Sequence, residues 1–206
     1  MFEILNSYLD DKITQINNDA IFQNVQHEIS INGYIGHILH FIIKAFQVKK
    51  ILELGALYGK SAIMMASAGG DIEIDSIENN ENNFHIAIEN VQAYKMEDRI
   101  SIHHGDAMEM LNSEKFQQKN FDMIFVDANK LAYLDYLHWC EKFLKKNGIM
   151  IFDNVFIHHA LEKYKDNNCK MHQKMEEFLD YTGKNNAFKR LILPYERDAL
   201  CVLIKN

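Results

Sequence analysis

From residue 49 onward, short apolar runs alternate with amphipathic stretches, and that alternation admits few folds. KKILELG (49–55), DIEIDSIE (71–78), RISIHHGDA (99–107), FDMIFVDA (121–128) and GIMIFDN (148–154) read as strands. Between them SAIMMASA (61–68), NNFHIAIENVQAYK (82–95) and YLDYLHWCEKFLKKNG (133–148) read as helices, the last expected to stop at its glycine. Strands joined through helices pair in parallel, and a parallel sheet is covered on both faces. IFV and IMIF are apolar throughout, as such burial requires. The pattern predicts a doubly wound, mostly parallel α/β sheet. HQKMEEFLDYTG (172–183) adds a helix, and AFKRLILP and DALCVLIKN read as two closing strands. Residues 1–47 read as a helical extension, with stripes through Ile4, Leu5, Tyr8, Leu9, Ile13 and Ile16 and through Ile35, Ile38, Leu39, Ile42, Ile43 and Phe46. The expectation is one domain over residues 1–206.

Composition excludes several classes. The formal net charge is −7, which argues against a body coated in positive charge for unspecific nucleic-acid binding. No run reaches about 18 apolar residues, so no transmembrane helix is expected. MFEILNSYLDDK lacks the basic and apolar segments of a secretory signal. Cys140, Cys169 and Cys201 have no CxxC spacing, so neither a disulfide framework nor a thiolate zinc site is expected. A cytoplasmic protein with free thiols fits these features.

In a doubly wound sheet, ligands bind outside the carboxyl ends of the strands. Every predicted strand end carries polar groups. The first ends in Glu53-Leu54-Gly55, and Gly55 and Gly59 let the backbone turn sharply toward a helix. The second ends at Glu78, about the interval after a glycine turn at which an acidic residue binds a ribose diol. The third leads into Gly105-Asp106-Ala107, the fourth into Asp127, the fifth into Asp153-Asn154. A single acidic residue in such a place can be a helix cap. Five at successive strand ends point to a nucleoside-containing ligand.

Asp127, Asp153 and Asn154 together offer two carboxylates and an amide oxygen, a hard donor set that suits Mg²⁺ or Mn²⁺. The same Asp-Asn pair serves equally well as turn residues. Lys130 starts the helix after the fourth strand. Beside a divalent cation in a closed site its pKa should be lowered, so that it accepts a proton near neutrality. His103-His104 and His158-His159 have no zinc-site spacing, and Trp139 sits in a helical stripe, as a core residue would.

ILELGALYGKSA (51–62), SIENNE (76–81), HHGDA (103–107), FDMIFVDANKLAYLDY (121–136) and GIMIFDNV (148–155) resemble the cation-dependent O-methyltransferases of the caffeoyl-CoA and catechol group. The resemblance is strongest over about residues 28–155, and the VDAxKxxY stretch with a later DN pair is its most specific part. It implies a Rossmann-like class I methyltransferase fold that uses S-adenosylmethionine. It places Glu53 and Gly55, with Gly59, on the methionine and ribose side, Ser61 on the carboxylate, Glu78 on the ribose hydroxyls, and Asp106 and Ala107 at the adenine. Ile29, Ser30 and Ile31 match a segment that closes over the methionine. Asp127, Asp153 and Asn154 match the metal ligands, Asp127 also bordering the cofactor, and Lys130 matches the catalytic base. The metal would lower the pKa of the acceptor hydroxyl, and an oxyanion would then attack the sulfonium methyl group in line. A homodimer is also implied, since relatives commonly pair through N-terminal helices.

The chain departs from the family pattern at Lys60, where Tyr is usual, at Phe156-Ile157-His158-His159, and at Pro194-Tyr-Glu-Arg-Asp198-Ala-Leu200, which stands for PxGDGL. Two acceptors therefore stay open, a small catechol-like or hydroxycinnamoyl-type phenol and 5-hydroxyuridine in tRNA. SIENNENNFHIAIENV and EDRISIHHGDAMEML look closest to the tRNA branch, which places 5-hydroxyuridine in tRNA first and the small phenol as the alternative. An RNA-binding face would draw on Lys44, Lys49, Lys50, Lys60, Lys163, Lys165, Lys170, Lys174, Lys184, Lys189, Arg190 and Arg197. A nicotinamide dehydrogenase is disfavoured because GALYG lacks the third glycine of that fingerprint. A non-catalytic nucleoside-binding protein would not need Asp127, Lys130, Asp153 and Asn154 together.

Overall fold

The computed structural model describes residues 10–23, 31–156, 170–195 and 198–206. Ile4 to Leu9 of the first stripe, Ile29, Ser30, His158, His159, Lys163, Lys165, Cys169 and Arg197 lie outside them. The described helices are α1 (Asp11–Asn18), α2 (Ala20–Gln23), α3 (Gly33–Ala45), α4 (Lys60–Ala66), α5 (Glu81–Ala93), α6 (Ala107–Leu111), α7 (Glu114–Gln117), α8 (Tyr133–Phe143) and α9 (Lys170–Lys184). The strands are β1 (Lys50–Leu54), β2 (Glu73–Glu78), β3 (Ile100–His104), β4 (Phe121–Val126), β5 (Leu144–Phe152), β6 (Phe188–Tyr195) and β7 (Asp198–Lys205). Their order in the sheet is β3-β2-β1-β4-β5-β7-β6. This is the expected mostly parallel α/β architecture, with an antiparallel pair at one side. None of the described helices is long and apolar enough to cross a membrane.

The chain divides into two compact units, Met1–Ala107 and Met108–Asn206. In the first, β1, β2 and β3 pair in parallel, with Leu54 opposite Ile77 and Glu78 opposite His104. Side-chain caps start the helices where the sequence turns polar: Asn32 Oδ1 accepts from Ile35 N at 3.0 Å, and Asn80 Oδ1 from Asn83 N at 3.0 Å. The α3 stripe is buried at Ile35, Leu39, Ile42 and Ile43, as its period requires. Helix α4 is buried at every position.

In the second unit β4 and β5 pair in parallel, while β7 pairs antiparallel with both β5 and β6. The α8 stripe of Tyr133, Tyr136, Leu137, Trp139 and Cys140 is buried, and Trp139 stacks on Phe143 with ring centroids 4.0 Å apart. Helix α8 ends at Phe143 rather than running to Gly148. Buried Leu144 turns extended (ψ 131°) and pairs with Phe121 of β4, and the register then shifts so that Met123 faces Ile149. Lys205 Nζ donates to the carbonyls of Glu141 and Leu144 and so closes the helix end. Asn147 takes the left-handed turn at φ 61°. Gly148 answers a close approach instead of a helix stop, since a Cβ there would meet the Lys145 carbonyl oxygen at 2.8 Å.

Candidate functional site

The carboxyl ends of β1, β2 and β3 form one polar cluster in the first unit. After β1 the backbone turns through two left-handed glycines, Gly55 (φ 98°) and Gly59 (φ 77°). The Gly55 and Ala56 amides both donate to the Ile77 carbonyl at 2.9 and 3.1 Å, tying this turn to the end of β2. Glu78 is buried, and its carboxylate braces both neighbouring loops. Its Oε2 accepts from Leu57 N and its Oε1 from Asn80 N, each at 2.8 Å. These bonds use two of the roughly four acceptor positions of a carboxylate, leaving capacity for hydroxyl donors. Gly105 N donates to the Glu78 carbonyl at 2.9 Å, which draws the β3 turn to the same edge. Asp106 is exposed there and Ala107, the first residue of α6, is buried. Glu53 is fully buried and accepts the Ser76 hydroxyl. Ser61 is buried in the first turn of α4, and Ile31 is buried before α3.

Lys60, weighed above as part of an RNA-binding face, is instead only 6 % exposed. Its Nζ donates to Asn17 Oδ1 of α1 at 3.0 Å and lies 5.9 Å from the Phe22 ring centroid. Burial pulls its pKa down from 10.5 to about 8. The unfolded chain therefore binds more protons than the folded one between pH 8 and 10.5, so stability should rise with pH through that window. Below pH 8 the full penalty applies. We expect Lys60→Met to raise stability at pH 7 by about 1–3 kcal/mol and to flatten that rise. Denaturant midpoints across the pH range would show this, and a destabilised variant would refute it.

The second unit holds the other cluster, at the ends of β4 and β5. Val126 and Phe152 are paired, and Asp153 N donates to the Val126 carbonyl at 2.9 Å, so Asp127 and Asp153 leave adjacent strands side by side. Lys130 opens a short 3₁₀ turn, Lys130–Ala132, that Asn129 caps through Leu131 N. Its Nζ donates to Asp127 Oδ1 and reaches Tyr133 OH, both at 2.7 Å, and lies 3.1 Å from Asn154 Oδ1 and 3.2 Å from the Asp153 carbonyl. All four residues named from the sequence thus meet around one ammonium group. Asn154 adopts the left-handed conformation at φ 53°.

Charge explains the state of this cluster. Burial and the negative charge of Asp127 push Asp153 up to about 7, against the pull of Lys130. The Lys130 shift is opposite to the sequence expectation. Burial favours loss of its proton, but Asp127, Tyr133 and Asp153 together outweigh burial and hold its pKa above the usual lysine range. The expected lowering assumed a divalent cation beside Lys130, whereas here the neighbouring anions outweigh burial.

Sequence reasoning missed three residues. Tyr133, the tyrosine of VDAxKxxY, is fully buried and bonds both to Lys130 and to the Asp153 carbonyl, the latter at 2.7 Å. Its ring packs on Phe152 and Phe178 at 5.3 and 5.6 Å. Its i,i+3 spacing from Lys130 was the available signal. Tyr195 OH donates to Asp153 Oδ1 at 2.5 Å and accepts from Asn154 Nδ2 at 2.7 Å. Buried Asp198 accepts from Phe156 N at 2.9 Å. No local sequence signal marks either of the last two as a partner of the 153–156 turn.

Among the described residues no three His, Cys, Asp or Glu side chains gather as a cation cage. The oxygen-rich set here is two carboxylates and one amide. Its chemistry fits a hard divalent cation, because among the described residues only Asp127 has an ion pair with Lys130, while the nearby Asp153 carboxylate is buried and its pKa is pushed up by burial and by Asp127. Of the surface cations weighed for RNA, Lys49, Lys50, Lys174 and Lys184 lie beside Asp71, Glu73, Glu177 and Asp180.

The sequence profile of the O-methyltransferase family matches residues 5–201, and the chain belongs to that family. O-methyltransferase imqG of Aspergillus flavus is 37% identical over 113 residues, 52% of this chain and 46% of that protein. A catechol O-methyltransferase of Niastella koreensis is 29% identical over 153 residues, 73% of this chain and 69% of that one. The matched region spans about half the length of several such relatives, for example 50% of caffeoyl-CoA O-methyltransferase 1 of Eucalyptus globulus. An O-methyltransferase of Bacillus cereus, solved in complex with SAH, superposes with a TM-score of 0.85 at 20% identity, covering 98% of this chain and 97% of that one. At that identity the likeness shows the fold alone.

Proposed function

We propose that this protein is an S-adenosylmethionine-dependent O-methyltransferase, aided by a divalent cation, whose acceptor carries a hydroxyl beside a second oxygen. The observation that carries this reading is the convergence of Asp127, Lys130, Asp153 and Asn154 at the ends of adjacent parallel strands. Membership of the family and the names of its relatives support it.

In this reading the first unit binds the methyl donor. Glu78 takes the ribose hydroxyls on its remaining acceptor positions, and the Gly55–Gly59 turn lets the backbone approach. Ser61, Asp106, Ala107 and Ile31 complete that side. S-Adenosylmethionine supplies an electrophilic methyl group on sulfur. Asp127, Asp153 and Asn154 would hold Mg²⁺ or Mn²⁺, which supplies Lewis-acid polarisation of two adjacent acceptor oxygens. Lys130 Nζ accepts the acceptor's hydroxyl proton. It can do so once Asp127 and Asp153 are engaged by other positive charge, because their field is what keeps it protonated. Tyr133 keeps the ammonium placed by bonding to it and to the Asp153 carbonyl.

The acceptor proposed first is a small catechol-type or hydroxycinnamoyl-type phenol, in line with the names of the relatives and with the carboxylate-paired surface lysines. 5-Hydroxyuridine in tRNA offers a comparable oxygen pair and is the second arm of the test. Labelled S-adenosylmethionine, Mg²⁺, a catechol panel and tRNA bearing 5-hydroxyuridine separate the two. Label in catechols confirms the first, label in tRNA alone replaces it with the second, and activity that survives excess chelator removes the cation from the reaction.

A further inference from the structure

The far end of the β6–β7 hairpin grips the turn that carries Asp153 and Asn154. Tyr195, the last residue of β6, pairs with Asp198, the first residue of β7. On one side of the turn, Tyr195 OH gives its proton to Asp153 Oδ1 and receives one from Asn154 Nδ2. On the other, Asp198 Oδ1 accepts from Phe156 N, and the Ala199 carbonyl accepts from Val155 N at 3.1 Å. Asn154 N itself donates to Asp153 Oδ1 at 2.7 Å.

An amide has two unlike ends, and only the oxygen can ligate a cation. The side chain of Asn154 is therefore useful in one orientation and useless when flipped by 180°. Its Oδ1 lies 3.1 Å from Lys130 Nζ, and its Nδ2 is taken up by Tyr195 OH. A phenol hydroxyl has one proton to give. Here that proton goes to the Asp153 carboxylate, so the hydroxyl oxygen can only accept from whatever faces it at Asn154. The Asn154 oxygen could not take the place of its NH₂ group there without facing another oxygen with no proton between them.

We propose that Tyr195 is a positioning residue whose hydroxyl sets the orientation of the Asn154 amide, so that Asn154 presents its oxygen to a divalent cation, while Asp153 Oδ1 keeps its bond from Asn154 N. This rests on the cation reading above. It adds a residue that lies 41 positions from Asn154 and belongs to the C-terminal hairpin.

The test is Mn²⁺ binding followed by electron paramagnetic resonance of the free ion, without methyl donor or acceptor. It compares wild type with Tyr195→Phe, which removes one oxygen and keeps the ring. The Kd for Mn²⁺ should rise about tenfold or more. The same substitution is then made on Asn154→Asp. A carboxylate has two equivalent oxygens and cannot be misoriented, so there Tyr195→Phe should change Kd by less than about twofold. Loss of fold would act equally in both backgrounds, so an equal effect in both overturns the proposal, as does a Tyr195→Phe protein that binds Mn²⁺ like wild type. A wild-type protein that binds no Mn²⁺ instead removes the cation reading, and this inference with it.

Discussion

Lys130→Ala is expected to lower turnover by about 10²- to 10⁴-fold while leaving S-adenosylmethionine affinity nearly unchanged. Apart from Asp127, the residues proposed above for the methyl donor belong to the first unit, whereas the hydrogen-bond partners of Lys130 Nζ belong to the second. The substitution removes the proposed proton acceptor and also an ammonium group that lowers the pKa of Asp153. Asp153, already pushed up to about 7 by burial and Asp127, would climb further. Single-turnover methyl transfer with saturating cofactor, alongside calorimetric cofactor binding, separates the two effects. Unchanged turnover would exclude Lys130 as the base.

Asp127→Ala is expected to have the largest effect on stability. It strips the nearest carboxylate from an ammonium group that is mostly enclosed, with a side-chain exposure of 18 %. Leaving a buried charge with one partner fewer costs about 3 kcal/mol, more than the original pair contributes to folding. Turnover should also fall, since the proposed cation loses a ligand. The charge argument makes a sharper demand. Removing Lys130 as well should recover part of the lost stability, because the stranded charge goes with it. Urea midpoints of the two single variants and the double variant test this. Simple addition of the two losses would mean that the pair is held by packing rather than by charge.

The strand-helix alternation was readable because burial of a parallel sheet on both faces leaves a plain apolar signature, as in FDMIFVDA and GIMIFDN. Asp127, Lys130, Asp153 and Asn154 were readable because strand ends are where such a fold places its chemistry, and because their spacing matched a family pattern. What escaped was set by tertiary contact. KSA at the start of α4 looks like any surface charge, and only the burial of the whole helix turns Lys60 inward. The end of α8 depended on Leu144 pairing with Phe121, a contact across 23 residues. Tyr195 and Asp198 meet the 153–156 turn only because β7 returns antiparallel beside β5. The direction of the Lys130 shift required a count of the anions around it, which spacing does not supply.

Chain order and spatial order disagree in the second unit. β6 is made before β7, yet β7 lies between β5 and β6. During synthesis or refolding, β6 has no place beside β5, and each must wait for a strand not yet available. Residues 153–156 wait with them, since Val155, Phe156 and Asp153 take partners from Ala199, Asp198 and Tyr195. Assembly of the reactive corner should therefore be among the late events of folding, after the helices and the β1–β3 ladder have formed. A chain stalled before residue 198 would hold the ladder of β1, β2 and β3 but would lack the partners of Val155 and Phe156.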